Sequence, residues 1–136
     1  MLAKLTTGVR EYARTIHSTA AANSFAAPHI APAGAAFGLI AADHDPVVAF
    51  DRLYQADESH PSFEGSYLVA CVFVAVITGR SPVGLPAPRN ETAEGAAVLA
   101  CAENWRGEGL EMSAEEAGYL QRVAHEAVFG GDSPKL

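Results

Sequence analysis

Positive charge is scarce in this sequence. Its 136 residues include nine Lys and Arg against 16 Asp and Glu, which gives a net charge of −7. The basic residues are scattered along the chain. Because nucleic acids and anionic membranes attract clustered positive charge, this balance argues against both as main partners. We therefore expect no nucleic-acid partner and no membrane partner.

Long apolar runs are lacking as well. The strongly apolar run from Gly65 to Gly79 is shorter than the ~20 residues that a bilayer-spanning helix needs. Polar residues interrupt the N-terminal stretch MLAKLTTGVREYARTIHS, so it does not have the apolar centre of a signal peptide. We expect a cytoplasmic protein, although a start further upstream could carry a signal.

Only two cysteines are present, Cys71 and Cys101, each among small apolar residues. Neither has a CxxC or Cys/His zinc spacing, so buried thiols are favoured and a disulfide between them stays open. The stretch Asp43 to Asp45 could be combined with Asp57 or His60 as a metal site. It lacks helical or hairpin spacing, however, and is more typical of a solvated turn. We expect no metal and no cofactor.

Helical patterns dominate what is present. Residues 2–23 carry an apolar stripe that includes Val9 and Tyr12, and residues 65–78 are apolar on nearly every face, as in a helix surrounded by protein. Ser113 and Glu116 predict a capping box at the start of a last helix.

Other segments give weaker indications. Residues 34–44 predict one or two helical turns, Asp45 and Pro46 predict another helix start, and residues 91–105 are a weak helix candidate. The one convincing strand candidate, Phe25 to Ala31, contains Pro28. A single strand cannot form a sheet, so the chain is all helical or its strand expects partners from elsewhere.

Asp57 and His60 stand three residues apart in YQADESHPSF, directly before the apolar run. A histidine that acts as a general base needs a carboxylate to orient its ring and to stabilise its cation. Pro61 suits the first turn of the following helix and would stiffen the connection. The spacing alone is weak evidence for catalysis, because many helix starts carry it by chance, and by itself it favours a polar cap on a buried helix.

The surrounding sequence adds a resemblance. LYQADESHPSFEGSYLVACVFVAVITGRSPVGL resembles the C-terminal block of the SGNH (GDSL-type) hydrolases, and in particular a bacterial branch with Asp-x-x-His-Pro-Ser followed by Gly-Arg-Ser-Pro-Val-Gly-Leu. HIAPAGAAF upstream and EEAGYLQRVAHEAV downstream are also similar to that branch. The resemblance therefore covers roughly residues 13–128.

This resemblance implies an α/β fold, the C-terminal portion of a flavodoxin-like three-layer α/β/α sandwich, mostly helical here with at most one or two short strands. It implies His60 as the general base and Asp57 as its orienting carboxylate. It gives no match for the Gly-Asp-Ser nucleophile or for the Gly and Asn oxyanion donors of the family. Residues 1–130 would then be one incomplete domain and residues 131–136 a flexible tail.

The functional hypothesis follows from the resemblance. The chain is the C-terminal segment of a serine ester hydrolase that acts on acyl or acylated-carbohydrate esters, and it is expected to be inactive alone. Gly131, Asp132 and Ser133 spell the nucleophile motif, but a helix precedes them and only three residues follow. Activity in isolation would point to Ser133, to Ser59 or Ser62, or to a partner chain.

A second hypothesis comes from a different class. Helices deprived of their sheet would expose apolar faces, which drive association. The chain would then be a non-catalytic helical module that forms a homo-oligomer or complements a partner chain carrying the Ser half.

Overall fold

Helices make up the regular structure of the described part of the chain. A computed structural model describes residues 2–26, 28–88 and 112–130, and for residues 2–6 the backbone alone. The elements are α1 (Leu2–Ala22), α2 (Ala33–Ala42), a 3-10 helix (Phe50–Leu53), α3 (Phe63–Thr78) and α4 (Ala114–Phe129). Within these ranges there is no β-strand, only an isolated antiparallel bridge between Tyr54 and Pro61. The prediction of a mostly helical chain is confirmed.

The core lies where α2, α3 and α4 meet. The side chains that fill it are apolar and almost fully buried: Ala36, Ile40, Leu68, Cys71, Val72, Ala117, Leu120 and Ala124. Val48 and Leu53, from the connection between α2 and α3, complete the same cluster. Burial of this apolar surface is the main force that holds the helices together. Cys71 is a free thiol inside the cluster, and burial raises its pKa.

The starts of α3 and α4 are fixed by serine caps. Ser62 accepts the backbone N–H of Gly65 at 3.1 Å. At α4, Ser113 and Glu116 form the reciprocal capping box that the sequence predicts. Each cap satisfies backbone donors that would lack a partner in the first helical turn. Gly79 ends α3 in the left-handed conformation, with φ of 65°.

Two predictions of local structure are wrong. The described residues of Phe25 to Ala31 are irregular because Pro28 has no N–H to donate and no described strand lies beside them. The helix predicted at Pro46 is also absent, since Asp45 donates its N–H to Asp43 Oδ1 at 3.1 Å in a local turn. The helical structure before this turn is longer than predicted, because Ala36 and Ile40 bury one face of α2.

The burial of α1 and α3 also differs from expectation. The α3 helix is not surrounded by the described residues, since Phe73 is 49% exposed and Ile77 is 78% exposed. On α1, Val9 and Tyr12 of the predicted apolar stripe are exposed, whereas Ala20 of that stripe and the neighbouring Ala13 are buried. Sequence periodicity locates an apolar face, but neighbouring elements decide whether that face is covered.

Some predictions concern residues outside the described ranges. These are Cys101, the helix candidate at residues 91–105, the Gly131-Asp132-Ser133 motif and the tail of residues 131–136. Among the helices that are described, none has the length and apolar content needed to cross a bilayer.

Candidate functional site: an exposed acid–histidine pair

A nine-residue loop, residues 54–62, carries Asp57 and His60 from the 3-10 helix to the start of α3. Its base is closed by the N–H of Ser62, which donates to the carbonyl oxygen of Leu53 at 2.9 Å. One step further along, the N–H of Gln55 donates to the carbonyl oxygen of His60 at 2.8 Å. The two ends of the loop therefore run antiparallel, and its tip contains residues 56–59.

The tip is a tight turn. The N–H of Glu58 donates to the carbonyl oxygen of Gln55 at 2.9 Å, and Glu58 has a φ of 56°. A non-glycine residue in this left-handed region costs about 1–2 kcal/mol, so the surrounding hydrogen bonds must hold it there. The strained residue lies between the two side chains that form the candidate site.

Asp57 uses both of its carboxylate oxygens inside this turn. Oδ1 accepts the N–H groups of Ser59 and His60, each at 3.0 Å. Oδ2 lies 2.6 Å from Nδ1 of the His60 ring. The backbone N–H of His60, then its ring, then the N–H of Ser59 lower the pKa of Asp57 to about 2. Asp57 is therefore ionised at neutral pH.

This geometry assigns roles to the ring nitrogens of His60. Opposite an ionised carboxylate, Nδ1 carries the proton and donates it to Asp57. In the neutral ring, Nε2 is then the acceptor and can take a proton from another group. The side chains of His60 and Asp57 are 71% and 50% exposed, so an approaching group can reach Nε2 from solvent. The structure thus brings the two predicted site residues into direct contact.

The serines near this pair have different environments. Ser62 is 2% exposed, and its hydroxyl lies 2.5 Å from the carbonyl oxygen of Arg52 and 3.0 Å from Oε2 of Glu64. Because it also caps α3, Ser62 has a structural role here, with its hydroxyl buried and hydrogen-bonded inside the fold. Ser59 is exposed, with its N–H bound to Asp57. Among the described residues, no serine hydroxyl is hydrogen-bonded to His60.

Arg52 anchors the loop to both long helices of the core, and sequence reasoning missed it. Its Nη2 donates to Oε1 of Glu64 and its Nη1 donates to Oε1 of Glu116, both at 2.7 Å. The two carboxylates raise the pKa of Arg52, with Glu64 the larger cause. Both acids are in the first turn of a helix, where negative charge also interacts favourably with the helix dipole. The sequence shows both glutamates near helix starts, but it does not show that Arg52 is their partner.

A second polar cluster holds the segment after α3. The amide of Gln121, only 3% exposed, accepts the N–H of Gly84 at 2.9 Å and donates to the carbonyl oxygen of Leu85 at 2.8 Å. The same amide donates to the hydroxyl of Tyr67 at 2.7 Å. These bonds fix the end of the Gly-Arg-Ser-Pro-Val-Gly-Leu block against α3 and α4. A shallow groove of about 270 Å³ lies between this segment and α4.

In the described ranges, no three His, Cys, Asp or Glu side chains are close enough to hold a metal ion together. Asp43 instead accepts the Tyr119 hydroxyl at 2.8 Å, and this bond is the main cause that lowers the pKa of Asp43. The stretch from Asp43 to Asp45 is thus a turn that ties α2 to α4.

Comparison with protein-family models, with curated proteins and with solved structures found no significant match for this chain. The resemblance to SGNH hydrolases therefore remains a prediction from the sequence motifs, beside the geometry described above.

Proposed function

We propose that this chain is the C-terminal part of an SGNH-type serine ester hydrolase, in which His60 is the general base and Asp57 orients it. The observation that supports this proposal is the 2.6 Å contact between His60 Nδ1 and Asp57 Oδ2, with His60 exposed to solvent. A polar cap would need the backbone contacts of Asp57 but not a contact with the imidazole ring.

The proposed chemistry is acyl transfer. His60 Nε2 accepts the hydroxyl proton of a serine as that oxygen attacks the ester carbonyl carbon, and the resulting imidazolium is stabilised by ionised Asp57. His60 then returns the proton to the leaving alcohol. A water molecule, deprotonated by His60 in the same way, releases the acid. The serine and the oxyanion donors belong to a part of the enzyme that this chain does not supply.

The proposed complete domain is the flavodoxin-like α/β/α sandwich of the family, located in the cytoplasm. In that sandwich, helices cover both faces of a parallel sheet. The open apolar side of α3, with Phe73 and Ile77, supports this proposal because it offers a surface on which strands could pack. Acyl esters, including acylated carbohydrates, are the proposed substrates.

The proposal is tested in two steps. The DNA immediately upstream of the Met1 codon should encode, in frame, a strand followed by Gly-Asp-Ser. The longer protein should hydrolyse p-nitrophenyl acetate, and His60→Ala should remove that activity, whereas this chain alone should not exceed buffer. The absence of such a frame, or His60-dependent turnover by this chain alone, would contradict the proposal.

A second candidate is a non-catalytic helical module that associates with copies of itself or with a complementing chain. It is favoured by the exposed apolar side chains of α1 and α3. Size-exclusion chromatography with light scattering separates the candidates. An inactive oligomer that persists when the upstream region is present would support the helical module, whereas a longer protein that is monomeric and active would exclude it.

A further inference from the structure

Gln55 contacts the side of the loop that carries His60 through both its backbone and its side chain. Gln55 donates its backbone N–H to the carbonyl oxygen of His60 at 2.8 Å. Its side-chain Nε2 donates to the carbonyl oxygen of Pro61 at 3.1 Å. Its own carbonyl oxygen accepts the N–H of Glu58 at 2.9 Å. Gln55 therefore fixes the peptide groups on either side of Pro61 and also fixes the turn at the loop tip.

These contacts matter because Asp57 and His60 do not lie on a helix or strand that would hold them in place. Asp57 and His60 are both on an exposed turn that includes the strained residue Glu58. Exposed side chains lose conformational freedom when they are held in one geometry, so a 2.6 Å contact persists only if the backbone beneath it is fixed. The antiparallel pairing at the base of the loop ends at Gln55 and His60. Beyond it, the side-chain amide of Gln55 is the group that holds the backbone next to His60.

The proline next to His60 makes a side-chain donor at this position more important. Pro61 has no N–H, so it cannot donate a hydrogen bond back to the opposite side of the loop. Its carbonyl oxygen is the remaining backbone polar group through which that side can hold it. The side-chain amide of Gln55 supplies a donor to this oxygen.

We propose that Gln55 is a positioning residue, whose side-chain amide holds the Pro61 peptide so that the His60 ring stays against Asp57. This role deepens the proposed function, because it concerns the same site, but it can be measured without hydrolysis. The loop is closed by its own hydrogen bonds and by α3. The pair is therefore preassembled in this chain, without the nucleophile.

The test uses the full chain and the variant Gln55→Met, which keeps the length of the side chain and removes its amide. In the original protein, NMR should show a downfield His60 Hδ1 resonance from the bond to Asp57. In Gln55→Met that resonance should be lost. The pKa of Asp57 should rise from about 2 towards its ordinary value of 3.8, because the His60 N–H groups move away.

Asn23→Leu is the matched control. It also removes a side-chain amide that donates to a backbone carbonyl oxygen, that of Thr19 at 2.8 Å, but it does so at the end of α1. It should leave the Hδ1 resonance and the pKa of Asp57 unchanged. If Gln55→Met leaves both unchanged while its circular dichroism matches the original protein, Gln55 has no positioning role.

A second measurement, made on the original protein, tests the proposal even if Gln55→Met does not fold. In the original protein, a scalar coupling across the hydrogen bond should connect the Gln55 side-chain amide to the carbonyl carbon of Pro61, and its absence would overturn the proposal. In the longer enzyme, Gln55→Met should lower kcat several-fold and leave KM nearly unchanged. If that enzyme shows no hydrolysis at all, the proposed function fails, while the NMR results still decide the role of Gln55.

Discussion

Arg52 donates from Nη1 to Oε1 of Glu116 across 2.7 Å, and the two residues are 64 positions apart in the sequence. The other guanidinium nitrogen, Nη2, reaches Glu64 at the start of α3. One side chain therefore joins the 3-10 helix to the first turns of both α3 and α4. The loop that carries Asp57 and His60 begins directly after this junction, so its base is tied to the most buried helices of the described core.

Replacing Arg52 with methionine should destabilise the fold by about 1 kcal/mol. The change removes two charge-assisted hydrogen bonds, but the arginine side chain is 41% exposed and water screens both pairs. The free energy of unfolding is obtained from urea denaturation. The loss should shrink in 1 M salt, where the Debye length is about 3 Å.

Arg80→Met provides the control for this experiment. Arg80 is exposed and makes no ion pair with the other described residues, so its replacement should change stability by less than about 0.5 kcal/mol. If the two variants lower the free energy of unfolding equally, the ion pairs of Arg52 with Glu64 and Glu116 do not stabilise the fold.

Gly65 should not tolerate a side chain, because a Cβ there would overlap the carbonyl oxygen of Leu53. That oxygen accepts the N–H of Ser62 and closes the base of the loop. Gly65→Ala should therefore cost about 1–3 kcal/mol, the range for overpacked sites. Thermal and urea unfolding would both report the loss.

Gly118→Ala is the matched comparison within α4. A Cβ there meets only the flexible end of Arg122, at an ordinary 3.5 Å. It should stabilise the fold by about 0.5–1 kcal/mol, because alanine has less backbone freedom to lose than glycine. If both alanine variants are equally stable, the close packing of Leu53 on Gly65 is not a real constraint.

The features that the sequence predicted correctly depend on neighbouring residues in the chain. The Ser113 capping box needs residues three positions apart, and so does the contact of Asp57 with His60. Both therefore follow from local geometry. The apolar run that becomes α3 is equally local. Such patterns remain readable in one sequence because folding elsewhere does not alter their spacing.

The features that were missed depend on tertiary contacts. Arg52 has no local partner that marks it as a junction, since Glu116 becomes its neighbour only after α4 packs on α3. The exposure of Ile77 depends on which elements cover α3, which periodicity does not report. At Pro46 a local turn forms in place of the predicted helix start, because the Asp43 side chain accepts the N–H of Asp45. Each difference comes from a partner that a single-sequence pattern does not identify.

Asp57 should titrate far below an ordinary aspartate, with a pKa of about 2 against 3.8. Because the folded-state pKa is the lower one, the stabilisation of the turn is complete above pH 3.8 and is lost as the pH falls through about 2. Carbon-13 NMR of the carboxylate measures this directly. In His60→Ala the pKa should rise only in part, since the N–H groups of residues 59 and 60 remain. A rise to 3.8 would contradict the backbone contacts.

The apolar face of α3 should drive association of this chain. Phe73 is 49% exposed and Ile77 is 78% exposed, and an interface would gain only the part of the about 1.5–3 kcal/mol per side chain that corresponds to the surface still exposed. The double variant Phe73→Lys with Ile77→Lys should therefore raise the concentration at which the chain associates by at least about tenfold. Light scattering after size-exclusion chromatography measures that concentration. Val83→Lys, a half-exposed site outside α3, should leave it unchanged. A monomeric original protein at all concentrations, or an unchanged double variant, would show that this face is not the one that associates.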